Sequence, residues 1–233
     1  MIKKIANDVF WVDSGMANCY LCRDADGLCL IDTGMPRDTD AIFDAIEEIG
    51  RAPEDVTRIL ITHADIDHAG GLSKCLDRTG ATAYAGAETA SLIAKGRSPR
   101  HLPQMVQIIG DIFFRYPSVS ADAITRINPG DTLPIMGGLE VIATPGHTLD
   151  HLSFFSRSTG VLFAGDILST RDDILSLTPP RITASQEAAD LSVLALSNLT
   201  PTVIACGHGA PITEDAGGEL TSLAQKIQTQ MEV

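Results

Sequence analysis

Ile59-Leu60-Ile61-Thr62-His63-Ala64-Asp65-Ile66-Asp67-His68-Ala69-Gly70-Gly71 puts four side chains able to bind metal within six residues, directly after a short apolar run. The run has the length and composition of a buried strand. Imidazoles and carboxylates at this density are poor core material. An unpaired buried charge costs several kcal/mol, roughly, and several together are tolerable mainly when a cation neutralises them. Gly70-Gly71 predicts a tight turn into a helix, which sets the cluster at a strand-to-helix mouth.

Three further segments repeat the pattern. Thr144-Pro145-Gly146-His147-Thr148, Phe163-Ala164-Gly165-Asp166 and Cys206-Gly207-His208-Gly209 each follow a β-rich apolar run, Leu139 to Ala143, Val161 to Ala164 and Val203 to Cys206. Each puts a ligand-type residue where the strand is expected to end, beside glycine. Neighbouring strands that end at one sheet edge can bring such residues together. The candidates are His63, Asp65, Asp67, His68, His147, Asp166 and His208. That is too many N/O donors for one tetrahedral zinc, and it suits two metal ions sharing a carboxylate and a water.

In this ordered combination the chain resembles the metallo-β-lactamase superfamily, the metallohydrolases that include glyoxalase II-like thioesterases and lactonases. The resemblance runs from Leu30-Ile31-Asp32-Thr33-Gly34 to His208. It implies that His63 and His147 hold a first metal, that Asp67, His68 and His208 hold a second, and that Asp166 bridges them. One position departs from the family's His-x-His-x-Asp-His motif, because Asp65 stands where the second histidine is usual. An anionic oxygen donor there still ligates, and it moves preference toward harder ions such as Mn²⁺ or Fe²⁺, with Zn²⁺ the first expectation.

The chain's 233 residues allow one sizeable core, and 44% hydrophobic with 20% charged residues is ordinary for a soluble globular protein. A net charge of −13 repels phosphate backbones and argues against nucleic-acid binding. No apolar run approaches the ~20 residues of a membrane span. The start, Met1 to Asp8, lacks the apolar core of a signal peptide, so a first strand and a cytoplasmic protein are expected. Five cysteines without regular spacing do not suggest disulfides. Cys19 and Cys22, three apart in an expected strand, would point to opposite faces and act as small buried hydrophobes.

Short strands are expected at Val9 to Val12, Tyr20 to Arg23 and Leu28 to Ile31, and a helix over Thr39 to Ile49 from Ile42, Ala45, Ile46 and Ile49. A second strand-rich set spans Thr132 to Ala164, followed by helices over Gln186 to Asn198 and near Glu219 to Gln230. This pattern fits a three-layer α/β fold or a sandwich. The resemblance implies the α/β four-layer αββα sandwich of two mixed sheets, over a single domain, 1–233. Residues 87–122 fit neither half. Leu102, Met105, Ile109, Ile112, Phe113 and Phe114 crowd one expected helix, a lid or a homodimer contact, with Phe113, Phe114 and Tyr116 as candidate substrate-binding side chains. His151 is expected as a structural or ligand-orienting histidine, and Arg97 to His101 as a solvated basic turn.

The chemistry this implies is hydrolysis of an ester, thioester or lactone of a small molecule by a metal-bridging hydroxide, with Asp67 orienting it. Gly-x-Ser-x-Gly is absent, which removes that serine route. No lysine lies between His147 and His208 to anchor a β-lactam carboxylate, which weakens antibiotic hydrolysis as a reading. His63, His147 and Asp166 also compose a two-histidine, one-carboxylate iron set, so the resemblance leaves a mononuclear persulfide dioxygenase as the alternative.

Overall fold

The computed structural model describes residues 2–99 and 115–232. The first half builds a seven-stranded sheet in simple order, from β1 (Ile2–Ala6), β2 (Val9–Asp13), β3 (Asn18–Asp24) and β4 (Gly27–Ile31) to β5 (Val56–Leu60), β6 (Thr82–Ala85) and β7 (Ile124–Arg126). Its first four strands pair antiparallel through short turns; β4 to β7 run parallel. The connections between parallel strands carry helices α1 (Thr39–Glu48), α2 (Ile66–Ala69), α3 (Leu72–Thr79) and α4 (Ala87–Ile93). The second half contributes β8 (Thr132–Leu133), β9 (Leu139–Ala143), β10 (Leu152–Ser156), β11 (Val161–Arg171), β12 (Ile174–Leu177) and β13 (Val203–His208). Here β13 lies parallel to β11 within an otherwise antiparallel sheet. Helices α5 (Gln186–Leu196) and α6 (Ala216–Met231) close that side.

Three apolar layers separate these elements, as the four-layer sandwich requires. Leu21, Leu30, Ile59 and Ile61 pack outward against Ile42, Ile46 and Leu72 of α1 and α3. Tyr20, Cys22, Ile31 and Leu60 face inward onto Val141, Phe154 and Phe163 of the second sheet. Leu162, Ile204 and Cys206 pack outward onto Val193, Leu196 and Leu220 of α5 and α6. Strand alternation does this sorting. Cys19 and Cys22 accordingly fall in different layers, and all five cysteines are free and buried. Burial raises the Cys22 thiol well above its ordinary pKa and lifts Cys29 to about 12, as inert packing groups require.

One local expectation is refined and one is corrected. Gly70 and Gly71 form the turn from α2 into α3, as expected, but with right-handed dihedrals, so positive φ is not what calls for glycine. They are needed for space: a Cβ on Gly71 would lie 2.3 Å from the Thr33 carbonyl oxygen, and one on Gly70 2.1 Å from that of Ile66. The strand before Asp166 does not end there. It runs on to Arg171, because Asp172 and Asp173, both at positive φ, make a two-residue hairpin turn into β12. Asp166 is instead displaced by a bulge within β11, where pairing to β13 breaks register on either side of Gly165, itself at φ 53°. The centre of the expected 87–122 insertion, with His101, Phe113 and Phe114, falls on residues 100–114, which lie outside the described residues. Among the described residues, no helix is long and apolar enough to cross a membrane.

Candidate metal centre

All seven ligand-type residues converge where β5, β11 and β13 meet the loops after β5 and β9. His63 and Asp65 lie on the loop leaving β5, and Asp67 and His68 on the single turn of α2 that follows. His147 comes from the β9–β10 loop, Asp166 from the β11 bulge and His208 from the end of β13. Two groups form. Donor atoms of His63, His147 and Asp166 lie within 4.8 Å of one another, as do those of Asp67, His68 and His208. Asp65 Oδ2 joins the first group, 3.0 Å from His147 Nε2 and 3.5 Å from His63 Nε2.

Asp166 reaches both. Its Oδ1 is 3.1 Å from His68 Nε2, and its Oδ2 is 3.1 Å from His208 Nε2 and 3.6 Å from His147 Nε2. The approach depends on Gly207, where a Cβ would sit 1.9 Å from Asp166 Oδ1. Any larger residue would collide with the Asp166 carboxylate.

Buried partners set the direction of the histidines. Asp32, at φ 58°, accepts hydrogen bonds from the Thr62 amide (2.9 Å) and the Thr62 hydroxyl (2.8 Å), and contacts His68 Nδ1 at 2.8 Å. A carboxylate only accepts, so His68 carries its proton on Nδ1 and turns Nε2 inward. The Thr62 oxygen, having donated to Asp32, accepts from His63 Nδ1 at 2.9 Å, which points His63 Nε2 inward too. His151 is an orienting residue of another kind. Its Nε2 accepts the Asp166 amide proton at 3.0 Å, while Nδ1 meets Thr144 Oγ1 at 2.8 Å. Burial, then the neighbouring His63 and His147, hold its pKa well below the ordinary value, so it stays neutral.

A second set of supports comes from the first sheet. The Trp11 indole N–H donates to Asn18 Oδ1 (2.7 Å), and the Asn18 amide donates to the carbonyls of Cys206 (2.9 Å) and Gly209 (2.6 Å). The Tyr20 hydroxyl also donates to Cys206 O at 2.6 Å. These bonds straddle His208 and fix its turn. Tyr116, expected in the substrate wall, is 5% exposed and packs in the outer layer of the first sheet. Its hydroxyl lies 2.9 Å from Ala64 O and 3.1 Å from Arg97 O, bracing the ligand loop from behind. Asp32 lies outside the ligand motif. A charge closing an apolar strand, before Thr33-Gly34, is the signal that marks it.

The electrostatics match a cation. Burial opposes protonation of His68, but Asp166 and Asp32 outweigh it and raise its pKa well above the ordinary value. Burial would raise Asp166, yet His68 and His208 hold it well below the carboxylate range. The metal-free cluster therefore draws protons in place of metal. His63 Nε2 is buried and makes no hydrogen bond, while His68 Nε2 and Asp166 Oδ1 are buried and face each other at 3.1 Å. Inward-facing lone pairs on soft-to-intermediate nitrogen donors, mixed with carboxylate oxygens, fit a divalent transition-metal ion.

A sequence profile of the metallo-beta-lactamase superfamily matches residues 12–208. The chain belongs to this superfamily. Among its relatives, the Probable metallo-hydrolase YflN of Bacillus subtilis (strain 168) is 26% identical over 234 residues, covering 92% of this chain and 89% of the relative. A hydroxyacylglutathione hydrolase of Erwinia tasmaniensis is 32% identical over 151 residues, 64% of this chain but only 46% of that protein. Among solved structures, the metallo-beta-lactamase SMB-1 aligns over 100% of this chain and 95% of its own at a TM-score of 0.73 and 22% identity. A Cronobacter sakazakii metallo-beta-lactamase with a HARLDQ motif gives 0.76, over 99% and 92%, again at 22%. At that identity the structures speak for the fold. With the profile and the metallo-hydrolase relatives, the chain is a metal-dependent hydrolase of the metallo-beta-lactamase fold.

Proposed function

We propose that this chain hydrolyses an ester, thioester or lactone of a small molecule with two divalent cations, Zn²⁺ first, held side by side. The observation that carries the reading is Asp166, one carboxylate facing ligand groups on both sides. His63, Asp65 and His147 would hold one ion, Asp67, His68 and His208 the other, and Asp166 both. Bound there, the pair would polarise a substrate carbonyl and lower the pKa of water toward neutrality. Asp67, whose Oδ2 stands 3.5 Å from His208 Nε2, has a second oxygen to orient the attacking water and take its proton. Asp32, through Thr62 and His68, keeps the imidazoles aimed. The thioester option is supported by the hydroxyacylglutathione hydrolase relatives, and the missing lysine between His147 and His208 weighs against β-lactams.

The grouping of His63, His147 and Asp166 alone would also suit one non-haem iron. Asp65 beside them and a complete second group favour the hydrolase. Metal analysis with a panel of chromogenic esters, thioesters and lactones separates the two. Two zincs per chain with turnover of the panel supports the proposal. One iron, oxygen uptake on persulfide and an inert panel refutes it.

A further inference from the structure

Asp166 owes its place to the bulge in β11, and side chains hold the backbone on either side of that bulge. The β10–β11 ladder is paired from Ser156↔Val161 to Phe154↔Phe163 and stops short of Ala164. Pairing to β13 shifts register on both sides of Gly165. At this gap the Ser153 hydroxyl donates to the Ala164 carbonyl (3.0 Å), and His151 Nε2 accepts the Asp166 amide proton (3.0 Å). Between them lies Thr144, whose Oγ1 stands 2.8 Å from both His151 Nδ1 and Ser153 Oγ. Thr144, His151 and Ser153 are all buried, so none of these groups faces solvent.

Counting protons leaves one arrangement. A ring nitrogen that accepts an amide proton carries none of its own, so the neutral His151 ring is protonated on Nδ1. That N–H donates to Thr144 Oγ1. Ser153 has spent its only proton on Ala164, so the Thr144 hydroxyl donates to Ser153 Oγ. The chain starts at the amide after Gly165 and ends at the carbonyl before it, which closes a ring around the bulged residue. Gly165 completes the fit, since a Cβ there would lie 2.6 Å from His151 Nε2. The same cluster ties the base of the His147 loop, where the Thr144 amide donates to the His151 carbonyl at 3.0 Å. A buried polar network in which every member is satisfied is rigid, and one missing member leaves the others unpaired.

We propose that Thr144 and Ser153 are positioning residues for the bridging carboxylate, acting with His151 as a one-way hydrogen-bond chain that fixes the Gly165 bulge. Breaking the chain frees the bulge, and Asp166 loses its set place between the two ligand groups. This deepens the two-ion reading above and rests on it.

The test uses the full chain, with zinc as the probe. Long-range proton–nitrogen correlation spectra, recorded with and without zinc, should show His151 neutral and protonated on Nδ1. Thr144→Val keeps the side chain's shape but leaves the His151 Nδ1–H without an acceptor. Its zinc Kd should rise about tenfold, and that of Ser153→Ala about threefold, the scale of losing support behind a ligand. Thr144→Ser keeps the hydroxyl and should restore the native Kd. Ser156→Ala removes another buried hydroxyl of β10, bonded to the Met136 carbonyl, and should lower Tm while leaving the zinc Kd unchanged. If Thr144→Val does not fold, Ser153→Ala against Ser156→Ala carries the comparison. A His151 ring protonated on Nε2, a native Kd in both Thr144→Val and Ser153→Ala, or an equal rise in Ser156→Ala would overturn the inference. Absence of zinc binding by the native chain would sink the metal reading, and the His151 tautomer would still decide the chain.

Discussion

In the first ligand group the His63 and His147 side chains are 0% and 3% exposed, whereas in the second Asp67 stands at 20% and His208 at 35%. The first is wrapped by the loop after β5, with Thr62 behind His63 and Tyr116 and Ser98 behind Ala64 and Ile66. The second ends at the rim of β13 and is held from outside by Asn18 and Tyr20. Buried ligands whose rotamers are already locked lose little freedom when an ion arrives, while exposed ones must be ordered. On the two-metal proposal the contrast predicts a division of labour: a more enclosed first site, and a second site whose His68 is buried but whose Asp67 and His208 are completed by the ion, the two linked through Asp166 in front and Asp32 behind.

Removing the joint should have the largest effect. Asp166→Ala is expected to lower metal content from two per chain to below one and kcat/KM by ~10³-fold or more, several kcal/mol of transition-state stabilisation. Full activity in that variant, measured with metal analysis on the same sample, would break the comparison at its centre.

Site-selective loss comes next. Asp65→Ala should empty the first site while leaving the Asp67–His68–His208 group able to bind, and His208→Ala should do the reverse. Zinc titration of each should show about one ion retained, with Asp65→His restoring two. Loss of both ions from either single variant would mean that the groups are not separable.

Asp32→Asn should act on both groups at once, because Asp32 holds His68 directly and His63 through Thr62. Its metal affinity is expected to drop roughly 10–100-fold, the usual effect of losing the partner of a ligand histidine. Unchanged affinity would show that packing alone aims the imidazoles.

Acidity sharpens the comparison further. The raised pKa of His68 gives stability to the metal-free protein that is fully present below the imidazole's unfolded pKa, about 6.5, and lost as pH rises through its folded value. The depressed pKa of Asp166 gives stability present above about 3.9 and lost only as pH falls through its lower folded value. The metal-free pair is therefore strongest between these limits, where protons compete best with metal. The rise in Tm on adding zinc should grow from pH 6 to pH 8, with proton release on binding largest at the acid end. His151, buried neutral, adds an acid-side loss of stability common to both forms, so it cancels in the difference. A metal-induced shift independent of pH would contradict this account. The smallest effect belongs to Asn18→Ala, which should weaken second-site zinc a few-fold, at about 1 kcal/mol for the hydrogen bonds lost, and leave the first site alone.

All seven ligand-type residues were readable because glycine beside a polar residue after an apolar run is a local pattern. Their partners were not. Trp11, Asn18 and Tyr20 act through contacts made across the sheets, and no spacing along the chain announces them; His151, four residues after His147, is the exception that the sequence does mark. The turn at Gly70-Gly71 was legible, but the reason glycine is needed there was not, because crowding by Thr33 and Ile66 is invisible until the loop is folded. The continuation of β11 past Asp166 escaped because the Asp172-Asp173 turn stabilises a strand that composition alone would end. The four-layer architecture was reached through the family resemblance, since alternation by itself fitted a simpler α/β arrangement equally well.

The most direct test is a calorimetric zinc titration of the metal-free native protein at pH 7.5, followed by metal analysis. Two ions per chain in two separable steps, the tighter one abolished by Asp65→Ala and the weaker one by His208→Ala, is the result predicted here. A single ion per chain, or one step untouched by either substitution, would contradict the two-site account.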